Sequence, residues 1–251
     1  MDRAEPSELR TPPGLPSRAP DLSEYRKVVT VPAKPEVVRW IPAAAMTLVF
    51  FLTFLPWNGI YPGGYPAYTQ SAWQCLFGAV SHDPVAEQVM QFLPLLEERV
   101  HSNLWLLPYL LLLFPALILA LAGPIVDLGK MKLPPAIEPY WKYRPLALGA
   151  LLIFMFLLLL LQCATGFGIQ RAVDQYVEEK YATQRAAAKT PEQIQTVEMR
   201  IDGDKGSTRV RTTTWLRLAM LLHFIAILGA AAEAGLAFRG QKPPPRVAAM
   251  W

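Results

Sequence analysis

The sequence predicts an all-α, polytopic membrane protein with four transmembrane helices. Three observations support this fold class. First, 53% of the 251 residues are hydrophobic, and the mean hydropathy is +0.24. Second, a block of about 20 apolar residues in helical conformation is long enough to cross a hydrocarbon core of about 30 Å. Third, the apolar residues are concentrated in four such blocks separated by charged stretches, at residues 40–57, 104–126, 146–169 and 215–238.

The third block is the clearest candidate span. Residues 146–169 contain no charged side chain and include consecutive leucines at 157–161. A block in lipid must be helical, because a helix pairs its own backbone polar groups and an unpaired group there is costly. Pro108 and Pro115 predict a kink in the second block. We therefore expect four helices that cross the membrane.

Two tails flank the predicted membrane domain, which covers residues 39–239. Residues 1–38 are polar, charged and rich in proline, which is typical of a disordered segment. They lack the early apolar stretch of a signal peptide. Residues 240–251 form a second tail, which is basic and rich in proline.

The distribution of lysine and arginine predicts the orientation of the chain. Basic residues are concentrated in the two tails and in the short second loop, whereas the first loop carries only Arg99. By the positive-inside rule, both termini are expected to be cytoplasmic, in a cell (plasma or inner) membrane. The third loop departs from the pattern with eight basic residues, but seven acidic residues accompany them. The net charge of +4 then indicates contact with anionic lipid rather than with nucleic acid.

The first outer loop, residues 58–103, is predicted to contain an interfacial helix. Asp83 and Pro84 have the chemistry of a helix N-cap and first turn. Apolar residues then recur at helical spacing as far as Pro94, opposite a polar face. We expect this short helix to lie along the membrane surface and to lead into the second span.

The second outer loop, residues 170–214, is predicted to form a helical excursion with a small β-hairpin. Apolar residues fall three or four apart over 173–181, and Thr190 starts a further helix with cap chemistry. From residue 197 onward the apolar residues alternate instead, around the glycine-containing stretch 202–207. Alternation around a turn signal indicates a hairpin.

The start of the first outer loop carries a candidate outer aromatic surface. This stretch is also rich in glycine and proline, which set tight turns. Amphipathic rings favour the membrane interface, so the simpler interpretation is an aromatic belt. The alternative is a platform that binds a sugar or a lipid. The aromatic residues are Trp57, Tyr61, Tyr65, Tyr68 and Trp73.

Two cysteines are expected toward the outer side of the membrane. Cys75 lies in the first outer loop, and Cys163 lies near the outer end of the third span. A disulfide between them is one interpretation, in an oxidising compartment. The favoured interpretation is that Cys163 is a free, small, buried residue, because free cysteine is commonly found in protein cores.

The fourth block carries a candidate intramembrane polar face with Arg217, His223 and Glu233. His223 and Glu233 belong to a stripe of small and polar residues at intervals of three and four. The stripe predicts a face that points into the bundle, because small residues let membrane helices approach closely. The favoured interpretation is a packing seam, and the alternative is a proton or substrate site. The small members of the stripe are Ala219, Ala226, Ala230 and Ala237.

Motifs for catalysis and cofactor binding are absent from the sequence. The chain has no nucleophile elbow, phosphate loop, HExxH motif or dinucleotide fingerprint. Its three histidines do not provide the facing pair that a haem in a helical bundle requires. No spacing of His, Cys and carboxylates matches a metal site. We therefore predict no catalytic, cofactor-binding or metal-binding residues, and a protein that is not an enzyme.

The sequence favours a non-enzymatic integral membrane protein. The expected role is that of a structural or accessory subunit that engages a partner through its outer loops. A small oligomeric transporter or channel that uses the His223 and Glu233 face is the alternative, and a membrane redox or lipid-handling subunit is a weaker one. Membrane lipids and either a protein partner or further copies of the chain are the expected partners, and nucleic acid is not.

Overall fold

The described part of the chain divides into two units. We describe a computed structural model in which residues 28–32, 35–61, 64–83, 98–129, 133–239 and 246–250 are placed. The smaller unit holds an antiparallel pair of strands, β1 (Val28–Pro32) and β6 (Arg246–Met250). The run of β-branched residues in β1 favours a strand over the disordered tail predicted there. Residues 1–27 and 33–34 of that tail lie outside the described residues, and its last four residues, 35–38, are helical. The predicted interfacial helix, between residues 84 and 97, also lies outside the described residues.

The larger unit is mostly helical. Four of its helices overlap the four apolar blocks of the sequence. A 3₁₀ turn precedes the third helix at Leu104–Leu106, and another precedes the fourth at Glu138–Tyr143. The α-helices described in this unit are α1 (Pro35–Leu52), α2 (Ala72–Phe77), α3 (Leu107–Asp127), α4 (Arg144–Thr165), α5 (Gly168–Ala187), α6 (Pro191–Ser207) and α7 (Thr214–Phe238).

Helices α1, α3, α4 and α7 form a bundle. Helix α7 packs on both α1 and α4, and α3 also packs on both of them. At Gly229 of α7, an added Cβ would lie 2.9 Å from both Ile41 and Pro42 of α1, so the small residue permits this close approach. The buried face of α7 contains the predicted stripe from Ala219 to Glu233, whereas Ala237, its last predicted member, is exposed.

The outside of the bundle is apolar. Large hydrophobic side chains are exposed along α3, α4 and α7, which a protein surrounded by water would rarely tolerate over such an area. Three segments are long and apolar enough to cross a membrane: Leu104–Val126, Glu138–Ala187 and Thr214–Phe238. The exposed residues include Leu111, Ile118, Phe154, Leu157, Leu221 and Leu228. Together these features indicate a membrane protein.

The first apolar block ends earlier than predicted. Helix α1 stops at Leu52, and residues Pro56–Ile60 form strand β2 instead of continuing the helix to Trp57. Pro56 cannot donate the backbone hydrogen bond that another helical turn would require. The indole Nε1 of Trp57 donates to the carbonyl oxygen of Leu52 at 2.8 Å, which folds the chain back over the helix end.

A small antiparallel sheet makes the all-α prediction incomplete. Its strand order is β4-β3-β2-β5, with β3 at Tyr68–Ser71, β4 at Ser81–His82 and β5 at Val210–Thr212. Strand β2 is central, because Ile60 pairs with Tyr68 on one side and Asn58 pairs with Thr212 on the other. The sheet therefore joins the segment between α1 and α3 to the segment that precedes α7.

The predicted β-hairpin after residue 197 is wrong. Helix α6 continues to Ser207, and the glycine-containing stretch is its last turns. The helix begins with a capping box in which Thr190 and Gln193 bond reciprocally. Its buried apolar residues, Val197 and Ile201, are four apart, which is the spacing of a helix face. Helices α5 and α6 thus form a helical hairpin, called below the α5–α6 hairpin.

Candidate functional site

A buried ionic cluster lies at the C-terminal end of α7. Glu233 is only 5% exposed, and Arg144, the first residue of α4, donates a hydrogen bond to its Oε1. The Nε of Arg39 in α1 lies 3.5 Å from the same carboxylate oxygen. We call these three residues the ionic clamp. It connects α1, α4 and α7.

The third helix also contributes to the ionic clamp. The Nη1 of Arg144 donates to the carbonyl oxygen of Leu119 in α3 at 2.5 Å, and its guanidinium lies 5.4 Å from the ring centre of Trp141. Gly123 leaves the space that the guanidinium occupies, since a Cβ on this residue would overlap it. Arg144 is therefore held by contacts to α3 and α7 and to the 3₁₀ turn that precedes its own helix.

The charges of the ionic clamp are unequal. Two guanidinium groups face one carboxylate, and Arg144 is almost fully buried whereas the side chain of Arg39 is 35% exposed. The Glu233 Oε2 atom has no hydrogen-bond partner among the residues that the structure describes. Removing two charges from water is costly, and it is offset here by mutual attraction and by the bond to Leu119. The geometry is that of a fixed structural contact.

A second polar position lies deeper in the bundle. His223 is fully buried, and its Nε2 lies 3.1 Å from the carbonyl oxygen of Leu152 in α4. Since a carbonyl only accepts, Nε2 carries the proton and Nδ1 is a free acceptor. The imidazole lies between the rings of Tyr109 and Phe156, with centroids 6.1 and 5.8 Å away. Neither His223 Nδ1 nor Tyr109 Oη has a hydrogen-bond partner within the described parts of the chain.

The three residues of the predicted polar face do not form one site. Ten residues separate His223 from Glu233, which is about 15 Å along the helix. Arg217 is exposed and stands apart from both buried groups. Each buried group instead finds its own partner on α4, namely Leu152 for His223 and Arg144 for Glu233.

The predicted aromatic residues are split between the core and the surface. Trp57 and Tyr68 are buried, because the sheet folds them against the end of the bundle. Trp73 donates from Nε1 to the hydroxyl of Thr53 at 3.0 Å. Tyr65 is 76% exposed, and Tyr61 lines a groove beside the sheet. Three of the five side chains are thus used for packing, since Trp73 also stacks on the ring of Phe54.

Both cysteines are free thiols. Cys163 is half-buried on α4, whereas Cys75 is buried beneath the sheet. The Nδ2 of Asn58 donates to the sulfur of Cys75 at 3.4 Å, and the thiol donates to Gln70 Oε1 at 3.5 Å. Burial raises the pKa of the Cys75 thiol to about 12. Cys75 is therefore a packed, unreactive thiol.

Sequence reasoning missed the basic members of the ionic clamp. In the sequence, Arg39 and Arg144 are two of the basic residues whose distribution predicts the orientation of the chain. A signal was available, because both flank the predicted cytoplasmic ends of apolar blocks, at the depth where Glu233 lies in the fourth block. A buried carboxylate requires a cation at matching depth.

The fold and this site define a helical membrane protein whose bundle is closed at one end by a buried ionic cluster. Among the described residues, no group of three or more His, Cys, Asp and Glu side chains is arranged to hold a metal ion. No family model, no curated protein and no solved structure matches the chain.

Proposed function

We propose that this chain is a non-enzymatic integral membrane protein that acts as a structural or accessory subunit. In this proposal α1 is a fourth span, both termini are cytoplasmic and the protein lies in a cell membrane. The sheet and the α5–α6 hairpin are then on the outer side, where they engage a protein partner. The observation that carries the proposal is the exposed outer surface of α6.

Helix α6 is a surface element with little burial of its own. Its buried apolar side chains are Val197 and Ile201, which lie on the side that packs on α5. Two further apolar residues, Ile194 and Met199, are 45% and 60% exposed. Exposed methionine is common on binding surfaces, because its flexible thioether adapts to different partners. A helix of this kind is suited to docking.

The surface of α6 also contains a cavity. It has a volume of about 540 Å³ and lies between the end of α5 and the start of α6. Its lining combines polar side chains, among them Gln193, Thr196 and Arg200, with the apolar Ala187, Ala188 and Val197. A partner that inserts a polar side chain here and covers Ile194 would use both features.

The ion pairs of the α5–α6 hairpin favour a defined presentation of this surface. Lys180 donates to Asp204 at 2.6 Å, and Lys205 donates to Glu178 at 2.6 Å. A further pair joins Arg185 to Glu198 at 2.7 Å. These cross-helix contacts hold α6 in register with α5. They support a rigid docking surface rather than a flexible arm.

Site-specific photo-crosslinking in the native membrane tests the proposal. A photoreactive amino acid at Met199 is expected to give a discrete protein adduct, and Met199→Glu is expected to reduce co-purification of the same protein. The matched control is the photoreactive residue at Leu157, which is exposed on the bundle and should capture lipid. The proposal fails if positions 194 and 199 yield no protein adduct while expression and folding are normal.

A transport function is the second candidate, and the buried polar pair of His223 and Tyr109 favours it. Their unpaired Nδ1 and Oη atoms lie within the bundle, where such atoms mark candidate paths for water or protons. Proton flux into proteoliposomes measures it. His223→Phe should abolish such flux, whereas Arg217→Gln, at an exposed position, should not. Equal flux in empty vesicles and in vesicles with the protein would exclude this function.

A further inference from the structure

A groove lies where the sheet meets the first turn of α7. Its volume is about 650 Å³. Strand β5 and the start of α7 form one wall, and residues around strand β2 form the other. The lining residues that matter for its chemistry are Tyr61, Thr69, Arg211, Thr212, Thr214 and Trp215.

The groove is lined by hydrogen-bond donors that bond to none of the described residues. Within the described ranges, the guanidinium of Arg211 makes no ion pair or hydrogen bond, and the hydroxyls of Thr69, Thr212 and Thr214 make no hydrogen bond. Thr213 differs, because its hydroxyl donates to Pro56 and accepts from the amide of Leu216. Thr213 therefore holds the wall in place and leaves its neighbours available to a ligand.

The charge of the groove is positive. No carboxylate is found among its described lining residues. Arg209, two residues before Arg211, is also exposed. The first turn of α7 adds the partial positive charge of a helix N-terminus. His82 and Asp83 line an adjacent cavity, which shares Pro66 and Thr69 with the groove.

The groove lies at the depth of lipid headgroups if α7 crosses the membrane. Helix α7 has 25 residues, and at 1.5 Å per residue it is about 37 Å long, which exceeds a hydrocarbon core of about 30 Å. Its first turn therefore extends into the interfacial region. Trp215 is half-exposed there, and tryptophan favours this level of the membrane.

We propose that this groove binds a phosphate group. An arginine guanidinium matches the geometry of phosphate oxygens with paired donors, and hydroxyls complete the shell. Tyr61 and Trp215 contact the apolar or glycerol part of the same ligand. The phosphate is carried either by an anionic phospholipid or by a soluble phosphate ester, since both present the same group. This site is separate from the surface of α6 and does not depend on the partner proposed there.

Binding of two probes to the full-length protein distinguishes these sources. Spin-labelled phosphatidylglycerol in phosphatidylcholine nanodiscs tests the lipid, and glycerol phosphate tests the soluble ester. Arg211→Gln is expected to weaken binding of the preferred probe roughly tenfold or more, as for loss of a charge-assisted hydrogen bond. A lipid site retains phosphatidylglycerol in the presence of excess glycerol phosphate. A soluble-ester site binds glycerol phosphate directly and releases the lipid.

Arg217→Gln is the matched control, because it removes the same charge from an exposed position outside the groove lining. It is expected to change binding of either probe less than twofold. The proposal is overturned if Arg211→Gln leaves the binding of both probes unchanged, or if Arg217→Gln weakens it equally. Circular dichroism and gel filtration verify that both variants fold. Thr212→Val, which removes a donor but keeps the shape, provides a second variant and should weaken binding in the same direction.

Discussion

The ionic clamp of the bundle and the ion pairs of the α5–α6 hairpin use the same chemistry in opposite surroundings. In the clamp, Glu233 and Arg144 are buried among four apolar helices, and each has been withdrawn from water. In the hairpin, Lys180 and Asp204 keep 47% and 35% of their side chains exposed. Both are ion pairs between helices. When one partner is lost, water can solvate the remaining charge in the hairpin but not in the clamp.

This difference determines what each pair contributes. An exposed pair such as Lys180 and Asp204 contributes about 0.2–1 kcal/mol, because water screens the charges and competes for them. Loss of one partner from a buried pair costs about 3–5 kcal/mol, since the other charge stays buried without compensation. We therefore expect the clamp to determine whether the bundle assembles and the hairpin pairs to adjust a surface element.

The largest predicted effect is that of Glu233→Gln. The substitution keeps the shape but leaves Arg144 beside a neutral group, so the free energy of unfolding should fall by about 3–5 kcal/mol. Denaturant unfolding in micelles measures it. Glu179→Gln is the control, because it breaks the exposed pair with Arg99, and its effect should be far smaller. Similar losses in the two variants would contradict the assignment of the clamp.

The double variant Arg144→Met with Glu233→Leu sharpens the same point. It removes the two buried charges together and leaves only Arg39, whose side chain is 35% exposed to solvent, so it should be more stable than either single variant. The coupling free energy from the double-mutant cycle should therefore be large and favourable. Additive losses in the cycle would mean that the two side chains act independently.

Gly123→Ala should give an intermediate effect. The added Cβ would overlap the guanidinium of Arg144, so the clamp must shift, at a cost of about 1–3 kcal/mol. Gly235→Ala is the matched control, since no atom lies within 4 Å of its Cβ position. There, the higher helix propensity of alanine should leave stability unchanged or raise it. Thermal unfolding of both variants in one detergent makes the comparison.

Asp204→Asn should have a smaller effect that depends on pH. The hydrogen bond from Lys180 lowers the pKa of Asp204 below its ordinary value. A lowered folded-state pKa contributes stability above the unfolded pKa of about 3.9, and this contribution is lost as the pH falls through the folded value. At neutral pH the variant should lose about 0.2–1 kcal/mol. In acid, the variant and the wild type should hold α5 and α6 together equally well. Pulsed spin-label measurements of the distance between α5 and α6 as a function of pH would show this.

The same contrast explains which parts of the fold the sequence could predict. The bundle helices follow from local composition, because length and hydropathy are enough to identify a helix in lipid. The sheet does not, since β2 pairs with β5, and Asn58 and Thr212 are far apart in the chain. Local composition likewise predicts that Trp57 lies at the membrane interface, whereas the structure buries it. Its burial depends on a strand pairing that only the folded chain reveals.

Helix α6 was mispredicted because two periodicities coincide. Val197, Met199 and Ile201 alternate as in a strand, yet Val197 and Ile201 are also one helical turn apart. The capping box at Thr190 and the pair between Lys180 and Asp204 favour the helix. Within the site, the polar stripe of α7 was predictable from spacing, whereas the arginine partners of Glu233 required a match of depth between separate helices.

The smallest expected effect concerns Cys75, a buried side chain that takes part in no ion pair. Its thiol is buried beneath the sheet, and burial raises its pKa to about 12, so almost no thiolate is present at neutral or mildly alkaline pH. Iodoacetamide should therefore leave Cys75 unmodified in the folded protein and modify it quickly after denaturation, as peptide mass spectrometry would show.

Gly78→Ala serves as the comparison variant for the modification of Cys75. Its Cβ would meet the backbone of His101 and Ser102 at a positive φ of 72°, so it should loosen this region and raise the rate of modification. Fast modification of native wild-type Cys75 would mean that the sheet opens readily, and that rigidity in this molecule is confined to the membrane bundle and its clamp.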